Sequence, residues 1–298
     1  MKQIKTSKAF IIQLPPDGEF EEYRNKTRRI LLQEEIFDEK GHLLVEKKYD
    51  YNGENAARVV YTYNEKGLRV SEESFDSEDN LEERLTFEYN DEGRVVKGLI
   101  HYVDGSFDTI VYEYNVNNEL ASKKWMNDEG ETERVEEFEY KDGRLIANVL
   151  TEEGEEVRNN RFKYNEKGDL TEAGISDENG EYKETYGYDD QGNLVKTLKY
   201  DEDDKLVEKV VYGYDEHNNR VSINSEDQLT KRSVESVYHE NVLNSSIEIE
   251  YNNLGQLTRR IERQMNEHGH LTEMRAFQTE GNRGAPSKYM VIYEHEYY

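Results

Sequence analysis

The chain has 298 residues, 35% of them charged against 34% apolar, and its 66 acidic and 39 basic side chains leave a formal charge of −27. That sign sets it against nucleic acid and anionic membrane surfaces and favours a basic protein as partner. No cysteine is present, which excludes disulfides, thiolate zinc sites and cysteine nucleophiles, and no apolar run approaches the roughly 18 residues that cross a bilayer as helix.

Residues 1–36 read as an N-terminal cap segment. Lys2, Lys5 and Lys8 lead into Ala9–Leu14, a run cut off by Pro15 and Pro16. It is shorter than the apolar stretch of about 7–15 residues in a secretory signal. The cytoplasm is therefore the expected location, with signal-independent export as the alternative. Asp17 and Gly18 make a turn, and Glu19–Glu35 is a helix-tolerant stretch.

Residues 37–280 are dominated by a repeat. Its phrase is aromatic-x-Tyr, then Asn or Asp, polar residues, Gly or Asn, and a Leu or Val. It runs from Tyr61 through Tyr63, Asn64 and Gly67 to Leu68, and recurs at Tyr89 with Gly93 and at Tyr114 with Asn118. Further copies stand at Tyr140 with Gly143, Tyr164 with Gly168, Tyr188 with Gly192 and Tyr214 with Asn218, and the same beat persists outward at Tyr251 with Gly255. From Tyr63 to Tyr214 each repeat tyrosine follows the last by 24 to 26 residues. These tyrosines and glycines are the structural repeat residues. Looser turns fall midway, as at Asp76–Asn80 and Asp201–Lys205.

Between turns the residues alternate. Leu206, Val210, Tyr212 and Tyr214 share one parity, and Phe162 and Tyr164 share theirs with Arg158 and Asn160. Period two, with aromatic and β-branched residues on one face, is the signature of strands. Asn or Asp and Gly supply the local hydrogen bond and the positive φ that a short hairpin loop needs. The three prolines (Pro15, Pro16 and Pro286) lie outside the repeats, where they cost no ladder hydrogen bond. Residues 281–298 read as a loop, Gly281–Pro286, and a closing strand, Tyr289–Tyr298. The expected fold is all-β: a long antiparallel β-meander of repeated hairpins, roughly 20 strands in a single curved or spiralling sheet forming one continuous domain. Tyr63 is expected opposite Leu68, and Tyr188 opposite Leu194.

At Tyr188–Leu194 and Tyr214–Asn218 the chain resembles the bacterial YD-repeat (RHS-repeat) family, whose pattern is Tyr-Asp-x-x-Gly-x-Leu. The resemblance covers about Phe37 to Leu271, with Asn replacing Asp at Asn64, Asn90, Asn115 and Asn165. It implies a hairpin sheet that curls into a spiral, which in long members encloses a toxin, and in some members carbohydrate binding. The length here points to an open sheet rather than a sealed shell.

No catalytic constellation emerges, and the chain is read as a non-enzyme without cofactor or metal; its binding residues are not identified by sequence. Asp201–Asp204 lacks the Gly and distal Glu of a calcium loop. His268 and His270 fall on an ordinary turn. Trp125 aligns with Phe75 and Tyr200 and is read as core. The expected function is a β-repeat scaffold binding a basic protein, as adaptor, chaperone or immunity-like partner. The alternatives are a carbohydrate-binding module using tyrosine faces and a truncated RHS-type toxin-delivery shell.

Overall fold

A computed structural model of the chain describes residues 2–298 apart from 25–27, 179, 219, 230–232, 240–244, 253 and 280–285. The expected loop at 281–285 thus lies outside the described residues. The protein is all-β. Its elements are β1 (Ile4–Leu14), a four-residue helix α1 (Phe20–Tyr23), β2 (Ile30–Phe37), β3 (Leu43–Tyr49), β4 (Asn55–Tyr63), β5 (Arg69–Phe75), β6 (Leu81–Tyr89) and β7 (Val95–Tyr102). There follow β8 (Phe107–Tyr114), β9 (Leu120–Met126), β10 (Thr132–Lys141), β11 (Arg144–Glu152), β12 (Glu155–Tyr164), β13 (Leu170–Asp177), β14 (Gly180–Tyr188) and β15 (Leu194–Tyr200). The last seven are β16 (Leu206–Tyr214), β17 (Arg220–Asp227), β18 (Ser233–His239), β19 (Ser245–Tyr251), β20 (Leu257–Met265), β21 (Leu271–Gln278) and β22 (Ser287–Tyr297). The helix-tolerant stretch keeps one turn at Phe20–Tyr23 and is strand from Ile30, because Ile30 and Leu31 pair with β1.

Contacts divide the chain into two compact units: residues 1–56, 187–198 and 206–298, and residues 57–186 with 199–205. In the second unit, β4 to β14 form a meander in which each strand pairs antiparallel with the next. In the first, β16 to β22 run the same way. There β1 lies between β22 and β2, and β2 pairs with β3.

The hairpin loops explain the repeat phrase. Asn64 N–H donates to the Leu68 carbonyl (2.9 Å), and Gly67 N–H to the Asn64 carbonyl (2.9 Å). The Asn64 side-chain oxygen accepts from the amides of Lys66 and Leu68, each at 3.0 Å. Gly67 has φ +78°. This is a three-residue loop whose last residue is left-handed and forms a bulge. The bulge sets the register: Tyr63 pairs with Arg69, not with Leu68 as the sequence suggested. Asn118 and Asn218 take the same left-handed position at φ 64° and 61°, which Asn tolerates better than most residues. At Asp142-Gly143 the loop shrinks to two residues, both with positive φ.

The apolar core of the first unit sits on its terminal strands. Ile12, Leu14, Met290 and Ile292 cluster on one face with Phe20 and Tyr23. Ala9, Ile11 and Val291 cluster on the other with Ile30, Leu32 and Met274. Burial on both faces accounts for the unbroken runs Phe10–Ile12 and Met290–Ile292, where a half-exposed strand would alternate.

Candidate functional site

The second unit carries two polar features with different exposure. The first is one edge of its meander. Successive loops of a meander fall on alternate edges. On one edge lie 76–80, 103–106, 127–131, 153–154 and 178, joined by 201–205, which is tied there by Lys183 Nζ to Asp204 Oδ1 at 2.5 Å. These segments hold thirteen carboxylates and one lysine, whereas the five loops of the opposite edge hold seven carboxylates and three basic residues. Two shallow cavities open on the acidic edge. One, of about 410 Å³, is lined by Glu156, Glu181, Tyr182, Lys183, Asp201 and Asp204 among others. The other, of about 570 Å³, is lined by Glu133, Arg134, Glu152, Glu153, Glu155 and Val157.

Two of these carboxylates, Asp76 and Asp104, are held as anions by their loops. The Asn80 side chain and amide hold Asp76 below the usual aspartate range. The Ser106 hydroxyl and amide do the same for Asp104. Tyr102 donates to Asp108 Oδ2 at 2.7 Å, and that bond holds its hydroxyl proton up to about pKa 12.

The second feature is a buried polar row on the aromatic face. Glu136 is 8% exposed. It accepts from Asn148 Nδ2 (2.9 Å), from Lys123 Nζ (3.1 Å) and from Arg158 Nη2. Asn160 Nδ2 reaches Asn148 Oδ1 at 3.4 Å. Burial pushes the Glu136 carboxyl upward, but bonds from Asn148 and Lys123 outweigh it and leave it below the ordinary range. It is a paired anion, not an acid. The signal for this row was parity: Glu136 shares its strand face with Phe138 and Tyr140, where an apolar residue is expected.

The hydroxyls of Tyr89, Tyr114, Tyr164 and Tyr214 bind backbone. Tyr89 Oη donates to the Arg69 carbonyl (2.5 Å), Tyr114 to Val95 (2.9 Å), Tyr164 to Leu145 (2.8 Å) and Tyr214 to Leu194 (2.9 Å). No local pattern announced this ladder. Trp125, read as core, is only half-buried and carries the Arg134 guanidinium 4.9 Å from its ring centre. Among the described residues no group of three or more His, Asp or Glu is placed to hold a metal, and no helix is long and apolar enough to cross a membrane. His268 and His270 do lie on a turn, Asn266–His270, but His295 and Tyr297 join them there.

No family model matches the chain, and no curated protein matches it. Among solved structures it is similar to a chain of the Tc holotoxin pore of Photorhabdus luminescens, at 12% identity and a TM-score of 0.34, over 91% of this chain and 18% of that one. The chain thus spans about a fifth of that toxin chain. It is also similar to a porin-like protein of Bacteroides uniformis, at 11% identity and a TM-score of 0.34, over 98% of each chain. At these scores neither likeness carries a functional argument.

Proposed function

We propose that the chain is a non-enzymatic β-repeat scaffold of the cytoplasm that binds a basic protein partner along the acidic edge of its second unit. The observation that supports this reading is the asymmetry between the two edges: thirteen carboxylates against one lysine on one side, seven against three basic residues on the other. A charge spread evenly for solubility would not sort by edge. A single-signed surface draws a partner of opposite sign and speeds its encounter. The carbohydrate alternative has less support, because hydroxyls of the tyrosine columns already donate to strand carbonyls. The truncated delivery shell rests on the family resemblance alone.

The test is fluorescence anisotropy with a labelled Lys/Arg-rich peptide at rising salt. Neutralising the exposed Asp128, Glu129, Glu153 and Glu202 to their amides is expected to weaken binding about tenfold. Neutralising Glu65, Asp91, Glu92 and Glu166 on the opposite edge is expected to change it little. Equal losses from the two sets would overturn the assignment of the edge. Absence of binding by the unaltered protein at low salt, where exposed charges are least screened, would overturn the partner class.

A further inference from the structure

We propose that the Asn266–His270 turn and the end of β22 form a proton-operated latch, in which protonation of the histidines releases Tyr297 and loosens β22 from β1. The parts come from the turn between β20 and β21 and from the end of β22. Tyr297 stacks on His270, with ring centres 5.6 Å apart and planes at 27°, and meets the His268 ring edge-on at 5.7 Å. His295 lies 5.6 Å from His270. Three imidazoles therefore share one tyrosine.

Hydrogen bonding favours the neutral rings. Asn266 Nδ2 donates to Tyr297 Oη at 2.8 Å. With that oxygen receiving one bond, its own hydrogen is free to go to His270 Nδ1, 3.1 Å away. A neutral His270 accepts it at Nδ1. A protonated His270 presents a hydrogen where the tyrosine hydrogen already points. His295 Nε2 lies 2.7 Å from the Leu271 carbonyl, so Nε2 carries the hydrogen. Its Nδ1 is buried without a partner, and a proton placed there has no acceptor.

The surrounding charges do not offset this. His270 faces His295 and His268. His268 lies 3.6 Å from the exposed Glu267. Across the sheet, His295 pairs with Ser7, Ser7 with Glu35, and Glu35 with Glu46. Burial and then Glu46 raise the Glu35 carboxyl, against smaller opposing effects of Gln33 and His295. That carboxyl therefore takes up its proton at a higher pH than an ordinary glutamate does. Burial, then His295 and His268, also depress the His270 imidazole, in agreement with the geometry. The latch sits at the end of the β1–β22 pairing, which runs from Ile4 opposite Tyr297 to Leu14 opposite Lys288.

The test is hydrogen exchange of the intact protein, read by mass spectrometry and corrected for intrinsic rates. Protection of residues 291–298 is expected to fall about tenfold between pH 7.5 and pH 5.5, while 107–141 in the second unit stays unchanged. H268N/H270N, which keeps a hydrogen-bond acceptor at 270, is expected to abolish the response. If that pair does not fold, Tyr297→Phe serves instead: it is expected to lower protection at pH 7.5 and shrink the pH effect. An unaltered protein equally protected at both values, or a variant with the full response, overturns the latch.

Discussion

The two units are stabilised by different means. In the first, Ile12 and Met290, from the first and last strands, are fully buried and meet in an apolar cluster. In the second, eleven consecutive strands contribute few buried apolar side chains, chiefly Ala147, Leu150 and Ala173, and the buried Glu136 pairs across the ladder with Leu150. Consecutive hairpins are held by short loops, ladder hydrogen bonds and tyrosine hydroxyls, so a thin core suffices for them. Strands from opposite chain ends have no connecting loop to bring them together, and apolar burial must supply what chain proximity does not.

Substitutions can break this contrast. Ile12→Ala is expected to have the largest effect, destabilising the first unit by about 3 kcal/mol in urea melts, with Trp125 fluorescence, which reports the second unit, moving less. Glu136→Ala follows, at about 2 kcal/mol in the second unit, because it strands Asn148 and the partly exposed Lys123 and Arg158. Glu136→Gln is expected to cost less. A Glu136→Ala protein as stable as the parent would show that the polar row is dispensable.

Acid sharpens the contrast in order rather than size. His270 is depressed from 6.5. Its neutral form therefore stabilises the fold above that value, and the contribution is lost as pH falls through the lower folded value. Glu136 is lowered from 4.5; its contribution is present above 4.5 and is lost only below. The first unit is expected to loosen before the second in a pH series followed by exchange and by Trp125 fluorescence. The smallest effect is Tyr164→Phe, about 1 kcal/mol for the bond to the Leu145 carbonyl, measurable as a shifted urea midpoint.

Strands and turns were legible because their causes are local. Alternation located the strands, and Asn64 with Gly67 located a loop whose geometry those two residues determine. The register beside it was misjudged by one residue because the three-residue loop pairs Asn64 with Leu68, and so Tyr63 with Arg69, without leaving a mark on the hydrophobic pattern. The insertion of β1 between β22 and β2 joins residues nearly 300 apart, as at Ile4 and Tyr297, and has no local signature beyond two apolar runs that fail to alternate. The convergence of His270 with His295 was hidden for the same reason. Glu136 was visible as a parity violation, yet its partners depend on strand neighbours that only the register defines.

The tyrosine bonds have a consequence for how such a chain changes length. Tyr89 needs only a carbonyl 20 residues earlier, and Tyr114 one 19 residues earlier, so nothing in either bond identifies which copy of the phrase provides it. Excising 64–89 joins Tyr63 to Asn90 and recreates an intact phrase with Gly93 behind it. Removing half that length places the next tyrosine at the wrong border, with no carbonyl to meet. Genes for such chains can therefore grow or shrink by whole hairpins, and insertions that survive are expected in steps near 25 residues.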